Sequence, residues 1–226
     1  MAGVSAPAYI KLPSVASILA SPRRSVGSRW TAGWLCLALI VVGGGRGVAQ
    51  RAEASALFAR GVTWAQFLEK ATAQRERWRS VTASAVVPAP VVEGFRRAGA
   101  DLRILAVAED WCPDSVNTLP YVARLAAAVP IPFRIIDRNQ GEPVMRNHRT
   151  PDGRTATPTI VLLRGDAEIG AFVERPVIVQ RWFLSMADSP ENAKRFGDRQ
   201  SWYDADRGQS LLAELAAIAE PSSGIK

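Results

Sequence analysis

Hydrophobic and polar positions along this chain follow two periods, and the stretches where each holds predict the elements. From Leu102 to Ala108 every residue except Arg103 is apolar. A run this short and this continuous predicts a central strand covered on both faces. After Glu109-Asp110-Trp111-Cys112-Pro113-Asp114-Ser115 the spacing becomes helical, with Val116, Leu119, Val122, Leu125 and Ala126 leading to about Val129. Pro113 suits the first helical position, where its missing N–H has no partner to lose. Pro120 lies inside the same helix, where a proline costs about 3 kcal/mol and bends the axis.

Phe133 to Asp137 predicts a second strand, reached through a helical crossover and therefore parallel to the first. Glu142 to His148 suits a short helix, and Arg149 to Thr157 a polar loop turning at Pro151-Asp152-Gly153. The strands Ile160–Leu163 and Glu168–Val173, joined by Arg164-Gly165-Asp166, form a hairpin. Arg164-Gly165-Asp166 also spells an adhesion tripeptide, but its place in a hairpin turn accounts for it.

Helical patterns flank this middle section. Gln50 to Ala59 is alanine-rich, and Thr63 with Gln66 forms a capping-box pattern ahead of Trp64, Phe67, Leu68 and Ala71 on one face. Arg75 to Arg79 reads as the charged, solvated tail of that helix. After the break Val87-Pro88-Ala89-Pro90, a short helix spans Val91 to Ala98 and ends at Gly99. The C-terminal part is helical, broken at Ser189-Pro190, and Leu211, Leu212, Leu215 and Ile218 make the last apolar face. Trp182, Trp202 and Tyr203 read as packing residues.

Composition changes this picture at the N-terminus. The formal charge of +7 looks basic, yet residues 1–49 hold five of the 28 Lys and Arg and none of the 21 Asp and Glu. The remainder carries only +2, so charge gives no reason to expect a nucleic-acid partner. Arg29, the apolar run Trp30–Val42, the break Gly43-Gly44-Gly45 and the small residues of Gly47-Val48-Ala49 have the order of a signal peptide cleaved after Ala49. An N-terminal membrane anchor is the alternative, although the run is shorter than the ~20 residues a bilayer span requires. Export to the periplasm or outside the cell is the expectation, with no stable membrane insertion once the leader is removed.

Cys36 leaves with such a leader, and Cys112 becomes the single thiol of the mature chain. It cannot form an internal disulfide, so it is inert, paired with another molecule, or reactive. A helix N-terminus and the hydroxyl of Ser115, one turn on, favour its thiolate, whereas Asp110 and Asp114 oppose it unless they turn toward water. His148 is the sole histidine and has no pattern relating it to Cys112; no metal-ligand cluster is visible and no cofactor is expected.

Taken together, the strand, Trp111-Cys112-Pro113, the helix with Pro120 eight residues after the cysteine, the second strand, Thr157-Pro158-Thr159 and the hairpin resemble the thioredoxin family over roughly residues 102–187. More narrowly, the chain is similar to bacterial thioredoxin-like proteins with a single-cysteine Trp-Cys-x-Asp-Ser or Trp-Cys-x-Asp-Ala motif. The resemblance implies an α/β fold of three layers, with a central mixed sheet of about four strands and added N- and C-terminal helices. It divides the chain into a leader (1–49), an N-terminal helical extension (50–99), a thioredoxin-like core (100–188) and a C-terminal helical extension (189–226).

The resemblance implies a cis-proline at Pro158, lying against Cys112 and leaving the Thr157 backbone free to pair with an extended substrate. It assigns Cys112, Ser115 and Pro158 to the chemistry, and Trp111, Pro113 and Thr157 to substrate contact. Two departures stand out. Ser115 replaces the family's second cysteine, and Ala106 replaces its buried acid, which serves that second thiol. A dithiol cycle therefore cannot run within this chain. The expectations are monothiol exchange with a protein or small-thiol disulfide partner, finished by an external thiol, or a redox-inactive protein-binding module. A glutaredoxin-like cluster role lacks the glycine-rich motif that follows the cysteine in those proteins.

Overall fold

The computed structural model describes residues 53–99, 101–187 and 194–220. The leader, its cysteine and Ser189-Pro190 lie outside them. In chain order the elements are α1 (residues 53–60), α2 (Trp64–Lys70), α3 (Arg75–Ser84), α4 (Ala89–Ala98), β1 (Leu102–Val107), α5 (Pro113–Ala128), β2 (Phe133–Ile136), α6 (Glu142–Asn147), β3 (Thr159–Arg164), β4 (Ala167–Val173), α7 (Val177–Ser185), α8 (Lys194–Asp206) and α9 (Gln209–Ala219).

The strands form one mixed sheet in the order β2-β1-β3-β4. β1 is parallel to β2 and antiparallel to β3, and β3 and β4 form the hairpin. Because successive strand residues face opposite sides, β1 splits its apolar run between two cores. Leu102, Ile104 and Ala106 face a cluster with residues of α3, α4, α5 and α9, including Trp78, Phe95, Leu119 and Leu215. Leu105 and Val107 face the other side, where Leu57, Phe58, Val144 and Met145 from α1 and α6 cover the sheet. The result is three layers, α/β/α, the thioredoxin-like arrangement.

The outermost strand, β2, does not end in an open edge. Val62 exchanges backbone hydrogen bonds of 2.8 and 2.9 Å with Ile135, an antiparallel bridge that pairs part of that edge. Among the described residues no helix is long and apolar enough to cross a membrane.

One expected element divides in two. The charged run Arg75–Arg79 is not the tail of α2 but the start of α3, and the chain turns at Gln74 with φ +52°. The turn is capped from a distance: Asp110 Oδ2 accepts the N–H groups of Thr72 at 2.6 Å and Ala73 at 2.9 Å. The run is not simply solvated either, since Trp78 within it is 1% exposed and Arg77 donates to Asn117 and Asp204. The capping box at Thr63 and Gln66 forms as the spacing predicts.

Candidate functional site

The site is built where β1 stops. Cys112 is the N-cap of α5 and Pro113 its first residue, so the thiol stands at a 16-residue helix whose first N–H groups carry partial positive charge. Pro120 lies inside α5. The Thr157–Pro158 peptide is cis, and Cys112 Sγ donates a 3.2 Å hydrogen bond to the Thr157 carbonyl. That carbonyl is therefore engaged by the thiol rather than free. Cys112 is only 6% exposed, whereas its neighbour Trp111 is 53% exposed and takes no part in the core.

The loop leading to Cys112 is clamped by the α2–α3 corner. Trp78 Nε1 donates to the Asp110 carbonyl at 2.9 Å, and Gln74 Nε2 to the Trp111 carbonyl at 2.6 Å. Trp78 is itself set by edge contacts with Trp64 and Phe67. Burial pushes the Asp110 carboxyl up, but the N–H groups of Ala73 and Thr72 outweigh it and hold the group below its ordinary value.

Both carboxylates beside the cysteine are engaged by protein donors. Asp110 is committed to the α2–α3 corner, and Asp114 is 4% exposed and surrounded by donors. Asp114 Oδ1 accepts from the Tyr203 hydroxyl at 3.0 Å, and Oδ2 from Arg199 at 3.0 Å and Arg175 at 3.3 Å. Burial pushes the Asp114 carboxyl up, and the two guanidiniums oppose that shift. Burial also holds the Tyr203 phenol well above its ordinary value, with the Asp114 charge acting in the same direction.

Beyond Asp114 the charges continue to alternate. Arg175 also donates to Glu174 at 2.7 Å, Glu174 accepts from Arg154 at 3.1 Å, and Arg154 donates to Asp152 at 2.6 Å. Glu174 has φ +62°, an uncommon conformation for a residue with a side chain, and its surroundings hold it there. Its N–H donates to the Pro158 carbonyl at 2.7 Å, and Gln180 donates to its carboxylate. Arg175 lies over the Phe183 ring, 4.0 Å from its centroid.

The remaining sequence candidates divide. Ser115 is fully buried, yet its hydroxyl has no hydrogen-bond partner among the described residues, so the expected donation to Cys112 is not made. Tyr203 is more than a packing residue, being a direct partner of Asp114. His148 caps the end of α6 and contacts Glu168 at 2.6 Å, remote in its partners from Cys112. Among the described residues no group of His, Cys, Asp and Glu could hold a metal. The residues that sequence reasoning missed are Arg175 and Arg199; each is one arginine among many, and neither has a local motif.

A family model described as thioredoxin matches residues 61–194. The chain belongs to the thioredoxin family. The match begins ahead of α2, so the corner that clamps Asp110 and Trp111 falls within it. No curated protein matches the chain. Among solved structures, the chain is similar to an HIV epitope-scaffold at 24% identity and a TM-score of 0.57, covering 73% of this chain and 95% of the other. It is also similar to a protein of unknown function from Pseudomonas aeruginosa at 24% identity and a TM-score of 0.53, covering 72% and 93%. At that identity these structures carry the fold alone.

Proposed function

We propose that this thioredoxin-family protein is exported and exchanges disulfides through the single thiol of Cys112, with an external thiol completing each turnover. The observation that carries the reading is the placement of Cys112 Sγ at the N-terminus of α5, 3.2 Å from the carbonyl before cis-Pro158. The Cys112 thiolate attacks one sulfur of a partner's disulfide, forming a mixed disulfide and releasing the other sulfur as a thiolate. An external thiolate then attacks the Cys112 sulfur, freeing the partner's second thiol, and a second external thiol regenerates Cys112. Two external thiols are oxidised to one disulfide while the partner's disulfide is reduced.

Alkylation of Cys112 as a function of pH, with capture of mixed disulfides from cells, tests this reading. The expected result is a Cys112 that the reagent modifies in the folded chain and a captured partner that reductant releases. A thiol that resists the reagent in the folded chain, with no captured partner, would overturn it. Cell fractionation with N-terminal sequencing of the recovered protein tests export, and an uncut cytoplasmic chain would remove that part.

A second reading, a redox-inactive protein-binding module, is favoured by a different observation. Cys112 is buried, while Trp111, Val177 and Ile178 are large apolar side chains about half exposed. Complementation by Cys112→Ala separates the two: full function supports the module, and loss of function supports the thiol.

A further inference from the structure

The charged groups behind Cys112 form an alternating line: Asp152, Arg154, Glu174, Arg175, Asp114, Arg199. It starts in the loop before Pro158, passes the backbone that hydrogen-bonds the Pro158 carbonyl, and ends on α8. Three anions and three cations balance, and each internal member lies between two of opposite sign. Arg175 is closer to Glu174, at 2.7 Å, than to Asp114, at 3.3 Å, so its charge is shared. Asp114 is the carboxylate that Arg199 pairs with among the described residues. Removing Arg199 therefore leaves one negative charge uncompensated at the Asp114 end.

That end is the first turn of α5. A carboxylate at the second helical position and a thiolate at the N-cap draw on the same unpaired N–H groups and the same end of the helix dipole. The groups facing Asp114 are Arg175 and Glu174 from the segment after β4, and Arg199 and Tyr203 from α8. With both oxygens occupied by those donors, the helix N-terminus is left to the sulfur.

We propose that Arg199 and Tyr203 of α8 are positioning residues that hold and offset the Asp114 carboxylate, keeping the start of α5 available to a negatively charged Cys112 sulfur. The inference rests on the thiol-exchange reading above and makes the C-terminal helix a working part of the site.

The test is the pH profile of Cys112 alkylation by iodoacetamide in the full chain. Arg199→Gln should move the profile to higher pH by about one unit, a roughly tenfold loss of thiolate at neutral pH. Arg199→Lys should retain most of the wild-type profile, and adding Asp114→Asn to Arg199→Gln should move it back. An unmoved profile in folded Arg199→Gln, or a shift that persists without the Asp114 charge, overturns the proposal. If Arg199→Gln fails to fold, Tyr203→Phe keeps the ring and removes one donor; a smaller shift in the same direction supports the proposal, and no shift rejects it. The two readings fail separately: a profile that moves while wild type captures no disulfide rejects exchange alone. A fixed profile in a protein that does capture disulfides rejects the role of α8.

Discussion

Trp78 and Asp110 lie 32 residues apart, and the indole N–H of one donates to the carbonyl of the other at 2.9 Å. Through that contact and the two N–H groups that Asp110 Oδ2 accepts from Thr72 and Ala73, helices outside the sheet set the backbone that delivers Cys112. Asp110→Ala removes the acceptor of two backbone N–H groups in the turn between α2 and α3, at a cost of about 1 kcal/mol. Trp78→Ala empties a fully buried site, at a cost of about 4 kcal/mol. Urea unfolding checks both, and the smaller variant should also alkylate at Cys112 faster if the clamp controls access to the thiol.

Tyr203 supplies a pH dependence at the alkaline end. Its phenol is held well above its ordinary value near 10, first by burial and then by Asp114. In the unfolded chain the phenol ionises near 10, so between that pH and the folded value the folded state holds the extra proton. The stabilisation is complete below pH 10 and is lost as pH rises through the folded value. Burial also raises the Tyr121 phenol, so absorbance titration of tyrosinate should show Tyr203 ionising last, together with unfolding, and Tyr203→Phe should abolish that last component while the Tyr121 one remains.

Ser115 stands where the family's second cysteine would, buried and with its hydroxyl unpartnered among the described residues. Ser115→Cys adds a larger, less polar atom at a site that gains little from the hydroxyl, so stability should change by less than about 1.5 kcal/mol. The new thiol is one helical turn from Cys112, and mild oxidation should join the two. Mass spectrometry should find a loss of two hydrogens that reductant reverses; two free thiols after oxidation would show that the pair is held apart.

At the α8–α9 corner, Gly208 has φ +76°, and a Cβ there would lie 2.4 Å from the Tyr121 ring. Gly208→Ala should destabilise the protein by more than 1 kcal/mol, about the size of the backbone effect alone, because the side chain also clashes. A melting temperature equal to wild type would mean that the corner can move away from α5.

The fold was legible because its markers are local. The β1 run, the spacing of α5, Pro113 and Pro120, the β3–β4 hairpin and the capping box each occupy a few consecutive residues, and the structure forms every one of them. The division between α2 and α3 was not legible, because the N–H groups of Thr72 and Ala73 are held by an aspartate 38 and 37 residues away. A charged stretch with a single tryptophan gives no local hint of that partner.

The same distinction holds at the site. Sequence alone determined that Cys112 caps a helix, that Pro158 opens the next strand and that no second thiol follows at position 115, since helix caps, prolines and missing residues are properties of short stretches. Only the tertiary structure decided where the charge beside that cysteine goes. Arg175, Arg199 and Tyr203 reach Asp114 from 61, 85 and 89 residues along the chain. A carboxylate next to a cysteine opposes a thiolate or is offset according to which cations the fold brings within about 3 Å of it, and periodicity carries no record of that.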